Sequence, residues 1–332
     1  MRIRHLGILL AAVGLSLILL MLHIEKYLDT PVELRSEAVF FDLKKGTSFD
    51  RLAHQLNELG LIASPWKLKT YALITGKARR LQAGYYLLHP RSTPRVLLDK
   101  FVKGEVYLAR VVFPEGATVR DMACTLDQAS IVGKQAFLET ALADHAPARF
   151  NVPGPTLEGY LFPDTYLFRP HSSSSEVLLR MVHRWKQVFA PFGTRLKETG
   201  VSAREAMTMA SIIEKETSLE SERGLVASVF QNRLQKQMKL QSDPTVIYGV
   251  PDFDGNLTRK HLDTDTPYNT YTRVGLPAGP IANPGESSIR AALYPPNTSY
   301  FYFVSTNEGF HRFSETLSEH NRFVRLYQKN NR

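Results

Sequence analysis

The sequence predicts an α+β fold: an N-terminal transmembrane helix, then a small α+β module, then a larger, mainly helical domain with a few strands. Three observations lead to this prediction. An uncharged apolar run covers residues 6–22, short helix and strand patterns alternate over residues 36–105, and helical periodicity dominates from about residue 119 onward. With 332 residues, 43% of them hydrophobic, the chain is long enough for two or three packed units.

The N-terminal segment has the charge pattern of a signal anchor. Arg2 and Arg4 precede the apolar run, whose roughly seventeen residues are at the short end for crossing a bilayer. Basic residues ahead of the run predict that the N-terminus stays in the cytoplasm and that the rest is exported. The alternative is a cleaved signal peptide, but the run is too long for one and no small-residue cleavage motif follows closely. We predict that residues 1–5 are cytoplasmic, that residues 6–22 are an uncleaved transmembrane anchor, and that residues 23–35 are a linker.

Apolar spacing and capping residues predict the elements of the small module. In its first helix Phe49, Leu52 and Leu56 recur at helical spacing, Ser48 is the N-cap and Gly60 follows the end. About seventy residues are enough for an independent module. In chain order, the predicted elements are strand 38–43, helix 49–59, helix 66–74, strand 83–88, helix 96–102 and strand 107–113.

The rest of the chain is mainly helical, with a stretch rich in Pro, Gly, Asn and Tyr before residue 294. Apolar residues at helical spacing mark each long helix. The clearest predicted elements are helices 177–189, 204–217 and 222–238, strand 300–304 and a closing helix 314–327.

Charge and cysteine content narrow the classes of partner. The net charge of +9 favours anionic partners such as phospholipid head groups, nucleic acid or wall polymers. The basic residues are scattered, and the densest cluster, residues 77–80, has no RNA-binding signature beside it, so we predict no nucleic-acid partner.

Cys124 is the single cysteine, so no intrachain disulfide or cysteine-based zinc site can form. It lies in an amphipathic context typical of a core.

Several catalytic schemes lack their sequence signature. There is no His-Glu-x-x-His helix, nucleophile elbow, P-loop or dinucleotide fingerprint. His261, His311 and His320 show no metal-ligand spacing. A Ser-His-Asp triad assembled across the fold stays open, since triad members need not be close in sequence.

Glu216 is the carboxylate whose position points to catalysis. It lies three and four residues beyond Ile213 and Ile212, on the apolar stripe of the predicted helix 204–217, whereas Glu214 is offset by about 200° and is predicted to face the polar side. Burial of a carboxylate raises its pKa, which a general acid near neutral pH requires. A structural interpretation stays open, in which Glu216 reaches solvent from the last turn or pairs with an arginine, Arg223 or Arg233.

Two segments that follow this helix carry the groups of a sugar-binding groove. Gln241-Ser242-Asp243-Pro244-Thr245 and Tyr268-Asn269-Thr270-Tyr271 combine aromatic rings with amide and hydroxyl groups. The alternatives are structural: Asp243-Pro244 before Gly249 suits the N-cap and first turn of a short helix, and the two tyrosines suit a core.

The catalytic segment resembles a known family. Met209-Ala210-Ser211-Ile212-Ile213-Glu214-Lys215-Glu216-Thr217 is similar to the corresponding segment of the MltG (YceG-like) family of endolytic murein transglycosylases. The match is weak over residues 127–155 and 171–200. Further motifs that carry the resemblance are Ala83-Gly84-x-Tyr86, Glu158-Gly159-x-x-x-Pro163-Asp164-Thr165, Glu222-Arg223, Val226-Ala227-Ser228-Val229-Phe230-x-Asn232-Arg233-Leu234, Leu240-Gln241-Ser242-Asp243-Pro244-Thr245-Val246-Ile247-Tyr248-Gly249, Tyr268-Asn269-Thr270-Tyr271 and Gly275-Leu276-Pro277.

The resemblance implies an architecture and a location. Residues 36–105 are expected to form a LysM-like, glycan-binding module and residues 106–332 the catalytic transglycosylase domain. The protein is expected in the bacterial inner membrane as a single-pass protein with a periplasmic catalytic domain. Its expected partners are peptidoglycan glycan strands and the peptidoglycan synthases, and its role is to end strand elongation.

The resemblance also implies a lyase mechanism with one glutamate. Glu216 is expected to protonate the oxygen that leaves N-acetylmuramic acid and then to accept the proton of that sugar's C6 hydroxyl, giving a 1,6-anhydro end. No metal or organic cofactor is needed. A hydrolase with Glu158 or Asp243 as second carboxylate, and a wall-binding scaffold without activity, are the alternatives. The hypothesis places five residues in the groove and one, Glu158, as a weaker candidate that orients Glu216: Gln241, Ser242, Tyr248, Asn269, Tyr271 and Glu158.

Overall fold

A computed structural model describes residues 2–32 and 37–329 of the chain. The fold is α+β, mostly helical with few strands, and begins with an apolar helix. The chain divides into two compact units, Met1–Leu108 and Ala109–Arg332.

The first unit packs helices against a two-stranded antiparallel sheet. Strand pairing runs from Val39 opposite Leu88 to Leu43 opposite Gly84. Ser48 accepts a hydrogen bond from a backbone N–H of the first turn of its helix, as the sequence predicts. The elements are α1 (Arg2–Leu28), β1 (Val39–Leu43), α2 (Phe49–Glu58), α3 (Pro65–Ile74), β2 (Gly84–Leu88) and α4 (Pro94–Lys103).

Helix α1 is longer than the predicted anchor. It continues through residues 23–28, which the sequence analysis assigned to a linker, because Ile24 and Leu28 are buried in the core of this unit. Residues 33–35 of the predicted linker lie outside the described residues. Within the described part of the chain, Gly7–Leu28 is the one helix long and apolar enough to cross a membrane by length and composition.

The second unit is mainly helical and contains two further two-stranded antiparallel sheets. Its elements are β3 (Ala109–Val112), α5 (Val119–Gln128), α6 (Lys134–Ala141), α7 (Ala146–Phe150), β4 (Thr165–Phe168), α8 (Ser174–Phe189), α9 (Gly193–Thr199), α10 (Ala203–Glu216), α11 (Glu220–Gln235), α12 (Asp243–Gly249), α13 (Arg259–Asp263), α14 (Glu286–Leu293), β5 (Tyr302–Ser305), β6 (His311–Ser314) and α15 (Leu317–Val324).

Strands β4 and β6 were not predicted from the sequence. Each has four residues, too few for an alternating pattern to stand out, and each exists because a partner strand lies beside it. The closing helix was expected from residue 314. It begins at Leu317, because strand β6 extends to Ser314 and Thr316 is the N-cap of the helix.

Helix α10 lies in the core of the second unit. Ser202 and Glu205 form a capping box at its start, and Met209, Ile212 and Ile213 are buried against α11 and neighbouring segments. The capping box fixes the start of the helix, and the buried apolar residues fix its C-terminal half, so the last residue of the helix has a defined position.

Candidate active site

Glu216 is the last residue of α10 and lies in the wall of a cleft of about 480 Å³. Thr217 follows in extended conformation, so the helix ends where its carboxylate enters the cleft. Fifteen residues line this cleft: Glu216, Arg233, Leu240, Gln241, Asp243, Tyr271, Tyr302, Phe303, Val304, Ser305, His311, Leu317, His320, Val324 and Gln328.

Ser242 and burial set the acidity of Glu216. The hydroxyl of Ser242, itself 2% exposed, donates a hydrogen bond to Oε1 of Glu216. Burial, with a smaller contribution from the nearby Asp243, raises the pKa of Glu216 to about 7 against the opposing effect of the Ser242 bond. Near neutral pH the carboxyl group therefore exists in both protonation states, so it can donate a proton and accept one.

Glu214 has a different role from the one that its helical position predicts. Its side chain is 5% exposed and pairs with Arg223 at 3.2 Å, so the prediction that it faces the polar side was wrong. Oε2 of Glu214 accepts the backbone N–H of Gly285 at 2.9 Å. The ion pair with Arg223 therefore joins α10 to α11, and the bond from Gly285 joins α10 to the start of α14.

Arg233 is a buried cation in the cleft wall. Its Nε donates to the carbonyl of Phe301 at 2.7 Å and its Nη1 to that of Leu240 at 2.6 Å, and the guanidinium lies 5.3 Å from the centroid of the Tyr302 ring. Burial lowers the pKa of Arg233. Among the described contacts, neither Arg233 nor Arg223 forms an ion pair with Glu216, which removes support for the form of the structural interpretation in which Glu216 pairs with an arginine.

Gln241, Asp243 and Tyr271 form the cleft wall beside Glu216. The hydroxyl of Tyr271 donates to Oδ1 of Asp243 at 2.5 Å. Ser242, not Asp243, occupies the N-cap position of α12, so the predicted capping role of Asp243 was wrong: the helix starts one residue earlier than the motif indicates. Gln241 adopts a left-handed backbone (φ 49°), and this turn leads the chain into α12.

Of the five proposed groove residues, Ser242 is buried and meets the cleft only through its bond to Glu216, and two others, Asn269 and Tyr248, lie elsewhere. Asn269 is 1% exposed and donates to the carbonyls of His261, Leu262 and Thr264, so it holds a loop together. Tyr248 does not line the cleft but donates to Oε2 of Glu158 at 3.3 Å.

Glu158 is 2% exposed and is held away from Glu216. Its oxygens accept the backbone N–H of Val119, at the start of α5, and Nδ2 of Asn283 at 2.9 Å. Burial raises the pKa of Glu158 to about 8. No described contact joins this carboxyl group to Glu216.

A carboxylate–imidazole pair, Glu222 and His311, reaches the cleft through the His311 ring, and neither residue was among the predicted site residues. Nδ1 of His311 lies 2.7 Å from Oε2 of Glu222, and the backbone N–H of His311 donates to Oε1 of the same carboxylate at 2.8 Å. Sequence reasoning missed both residues because His311 stands alone in the sequence and reaches Glu222 only through the β5–β6 hairpin. Glu222 belongs to a motif of the family resemblance, which was the one available signal.

No group of three or more His, Cys, Asp or Glu side chains within residues 2–32 and 37–329 is arranged to hold a metal ion.

Comparison with known proteins gives consistent matches along most of the chain. A model of the YceG-like family matches residues 41–326. An endolytic murein transglycosylase of Bacillus subtilis (strain 168) is 34% identical over 322 residues, covering 91% of this chain and 88% of that protein. One from Streptococcus pneumoniae (serotype 2, strain D39) is 27% identical over 327 residues, covering 89% of this chain and 59% of that protein. The 2.6 Å crystal structure of a yceG-like protein from Listeria monocytogenes superposes with a TM-score of 0.60 at 33% identity, covering 87% of this chain and 99% of that one.

Proposed function

This chain belongs to the YceG-like family, and from that premise we propose that it is an endolytic peptidoglycan lytic transglycosylase. The reaction cleaves the β-1,4 bond between N-acetylmuramic acid and N-acetylglucosamine and leaves 1,6-anhydro-N-acetylmuramic acid ends. The names of its relatives support peptidoglycan as the substrate and transglycosylation as the reaction class.

The observation that carries the proposal is the state of Glu216. It lies in a cleft, and burial raises its pKa to about 7, so a large fraction is protonated near neutral pH. In the first half of the reaction Glu216 donates this proton to the glycosidic oxygen as the bond from that oxygen to C1 of N-acetylmuramic acid breaks. The hydrogen bond from Ser242 holds the carboxyl group in one orientation.

In the second half Glu216 acts as a base. Its carboxylate accepts the proton of the C6 hydroxyl while O6 forms a bond to C1 of the same sugar, so the 1,6-anhydro ring closes and Glu216 returns to its protonated form. No water is consumed. Because the nucleophile belongs to the substrate, its effective molarity is high, and the protein mainly has to hold the sugar in the reactive conformation.

The other predicted site residues take two kinds of role in this proposal. Gln241 and Tyr271 line the cleft and contact the glycan directly. Asn269, Tyr248 and Glu158 act from outside the cleft by holding the loops that form it.

The apolar helix α1 and the family support a proposal for the location. We propose that α1 crosses the bacterial inner membrane once, with the N-terminus in the cytoplasm and the second unit in the periplasm. Residues 36–105 are a LysM-like glycan-binding module, and residues 106–332 are the catalytic domain. The enzyme cuts nascent strands beside the peptidoglycan synthases and so ends strand elongation.

A hydrolase is the second candidate, because Asp243 lines the same cleft as Glu216 and could serve as a second carboxylate. Glu158, the other candidate for that role, does not line the cleft. The two reactions leave different ends: a hydrolase adds water to the new reducing end, whereas a transglycosylase leaves an anhydro end.

Mass spectrometry of the products tests the proposal. Purified peptidoglycan strands are digested with the full chain in detergent, as wild type, as Glu216→Gln, and as Glu286→Gln for a surface control. Internal 1,6-anhydro ends from wild type and the control, and none from Glu216→Gln, are the expected result. Ends to which water has been added would establish the hydrolase. No cleavage, with glycan binding retained, would indicate a wall-binding scaffold without activity.

A further inference from the structure

Glu222 holds His311 in one tautomer. The carboxylate accepts the backbone N–H of His311 through Oε1, and its Oε2, which also accepts the hydroxyl of Thr217 at 3.3 Å, lies 2.7 Å from Nδ1 of the ring. A carboxylate can only accept in this contact, so Nδ1 carries the proton. In the neutral ring Nε2 is then an acceptor.

Nε2 is the atom that His311 offers to the cleft. The ring lines the same cleft as Glu216, and its plane is set by an edge contact with Phe303, with the ring centroids 5.4 Å apart and the planes at 89°. No hydrogen bond from a described residue uses Nε2. The ring is thus held through one nitrogen while the other stays available to a bound molecule.

We propose that Glu222 and His311 form a site that accepts a hydrogen bond from a hydroxyl group of the glycan bound beside Glu216. This inference rests on the proposed function for the identity of the ligand. His311 contacts the sugar, and Glu222 is a positioning residue that selects the tautomer. The carboxylate of Glu222 also accepts a hydrogen bond from Thr217, the residue after Glu216. Glu222 therefore holds both the segment that carries the acid, Glu216, and the segment that carries the acceptor, His311.

A matched pair of substitutions separates this role from a structural one. In Glu222→Gln the amide can keep all three contacts, because its oxygen accepts the backbone N–H and its NH₂ donates to Nδ1 and to Thr217. The proton of His311 then moves to Nε2, and the acceptor becomes a donor facing a sugar hydroxyl. In His311→Asn the side-chain amide keeps the donor to Glu222 and removes Nε2.

The measurements are tautomer state, stability and kinetics on soluble, uncrosslinked glycan strands. ¹⁵N NMR of the imidazoles, with His311→Asn assigning the signal, is expected to show Nδ1–H in wild type and Nε2–H in Glu222→Gln. Melting temperatures are expected to stay within a few degrees, while kcat/KM falls at least about tenfold in both variants, the effect of one lost hydrogen bond of about 1.4 kcal/mol. His183→Asn, on the exposed side of α8, is the control and is expected to keep wild-type kinetics.

Two results would overturn the proposal: Nε2–H in the wild-type protein, or wild-type kcat/KM in Glu222→Gln despite a reversed tautomer. If the wild type cleaves no glycan, the proposed function fails, and the acceptor site is judged separately. The probe is then the β-1,4-linked tetramer of N-acetylglucosamine added to Glu216→Gln. A shift of the Nε2 resonance of His311 supports the site, and an unchanged resonance at saturating tetramer rejects it.

Discussion

Replacing Glu216 by glutamine should stabilise the protein in a way that grows with pH. The folded state raises the pKa of Glu216 from 4.5 to about 7 because it buries the carboxyl group. Between these two pH values the unfolded chain releases a proton that the folded protein keeps, so the wild type loses stability as pH rises. Glutamine cannot ionise, and its amide oxygen can still accept the bond from Ser242.

The magnitude follows from the size of the shift. At about 1.4 kcal/mol per pKa unit, the difference between 4.5 and about 7 corresponds to at most about 3.5 kcal/mol. Glu216 is only half-buried by surface area, and its contact with solvent in the cleft reduces this. We expect Glu216→Gln to match the wild type near pH 4 and to exceed it by about 2 kcal/mol at pH 8.

Urea unfolding in mild detergent, repeated from pH 4 to 8, measures this difference. Trp185 is 5% exposed and belongs to the second unit, so in a Trp66→Phe background its fluorescence reports on the unit that contains the site. Glu205→Gln on the same helix is the matched control. Its hydrogen bonds with Ser202 lower the pKa of Glu205, so this substitution should cost about 0.5 kcal/mol above pH 5, a loss that disappears as pH falls through the folded-state pKa.

The reasoning is refuted if Glu216→Gln is less stable than the wild type at pH 8, or if the difference between them does not change between pH 5 and 8. Either result would mean that the folded state does not penalise the ionised form of Glu216. Glu216 would then lack the raised pKa that a general acid at this position requires.

Three further predictions concern the surroundings of Glu216. Ser242→Ala removes a bond that lowers the pKa of Glu216, so the pH at which activity falls through loss of the acid should move upward in a kcat/KM–pH profile; an unchanged profile would count against the contact. Asn269→Ala leaves three loop carbonyls without their donor and should cost about 2–3 kcal/mol by urea unfolding, whereas a cost below about 0.5 kcal/mol would show that the loop holds itself. Glu214→Gln leaves the Arg223 cation poorly paired and should cost about 2 kcal/mol at pH 8, the opposite sign to Glu216→Gln; stabilisation here would contradict the ion pair.

Prediction succeeded where a residue's surroundings lie within a few positions along the chain. The cap at Ser48 and the apolar stripe of α10 depend on contacts three or four residues apart, and the structure has them. Prediction failed where a second element decides. Glu214 was expected on a polar face because the helical wheel contains no information about Arg223, which arrives with α11.

The groove residues show the same division. Gln241 and Tyr271 line the cleft, but Asn269 holds a loop, although its motif carries the same kinds of polar groups. Composition identifies groups able to bind a sugar but not the direction in which they point. That direction depends on which buried carbonyls lack a donor, a property of the folded loop.

The sequence by itself determined the apolar N-terminal helix and most of the other long helices, because hydrophobic periodicity and capping are local. It also made Glu216 the catalytic candidate, through its place on an apolar stripe and through the family resemblance. Only the tertiary structure decided what surrounds that carboxyl group. Ser242 is 26 positions from Glu216 along the chain, and Glu222 is 89 positions from His311. Such contacts form when packing closes long loops and buries polar groups that must then be paired, and no local pattern in the chain records which groups will meet.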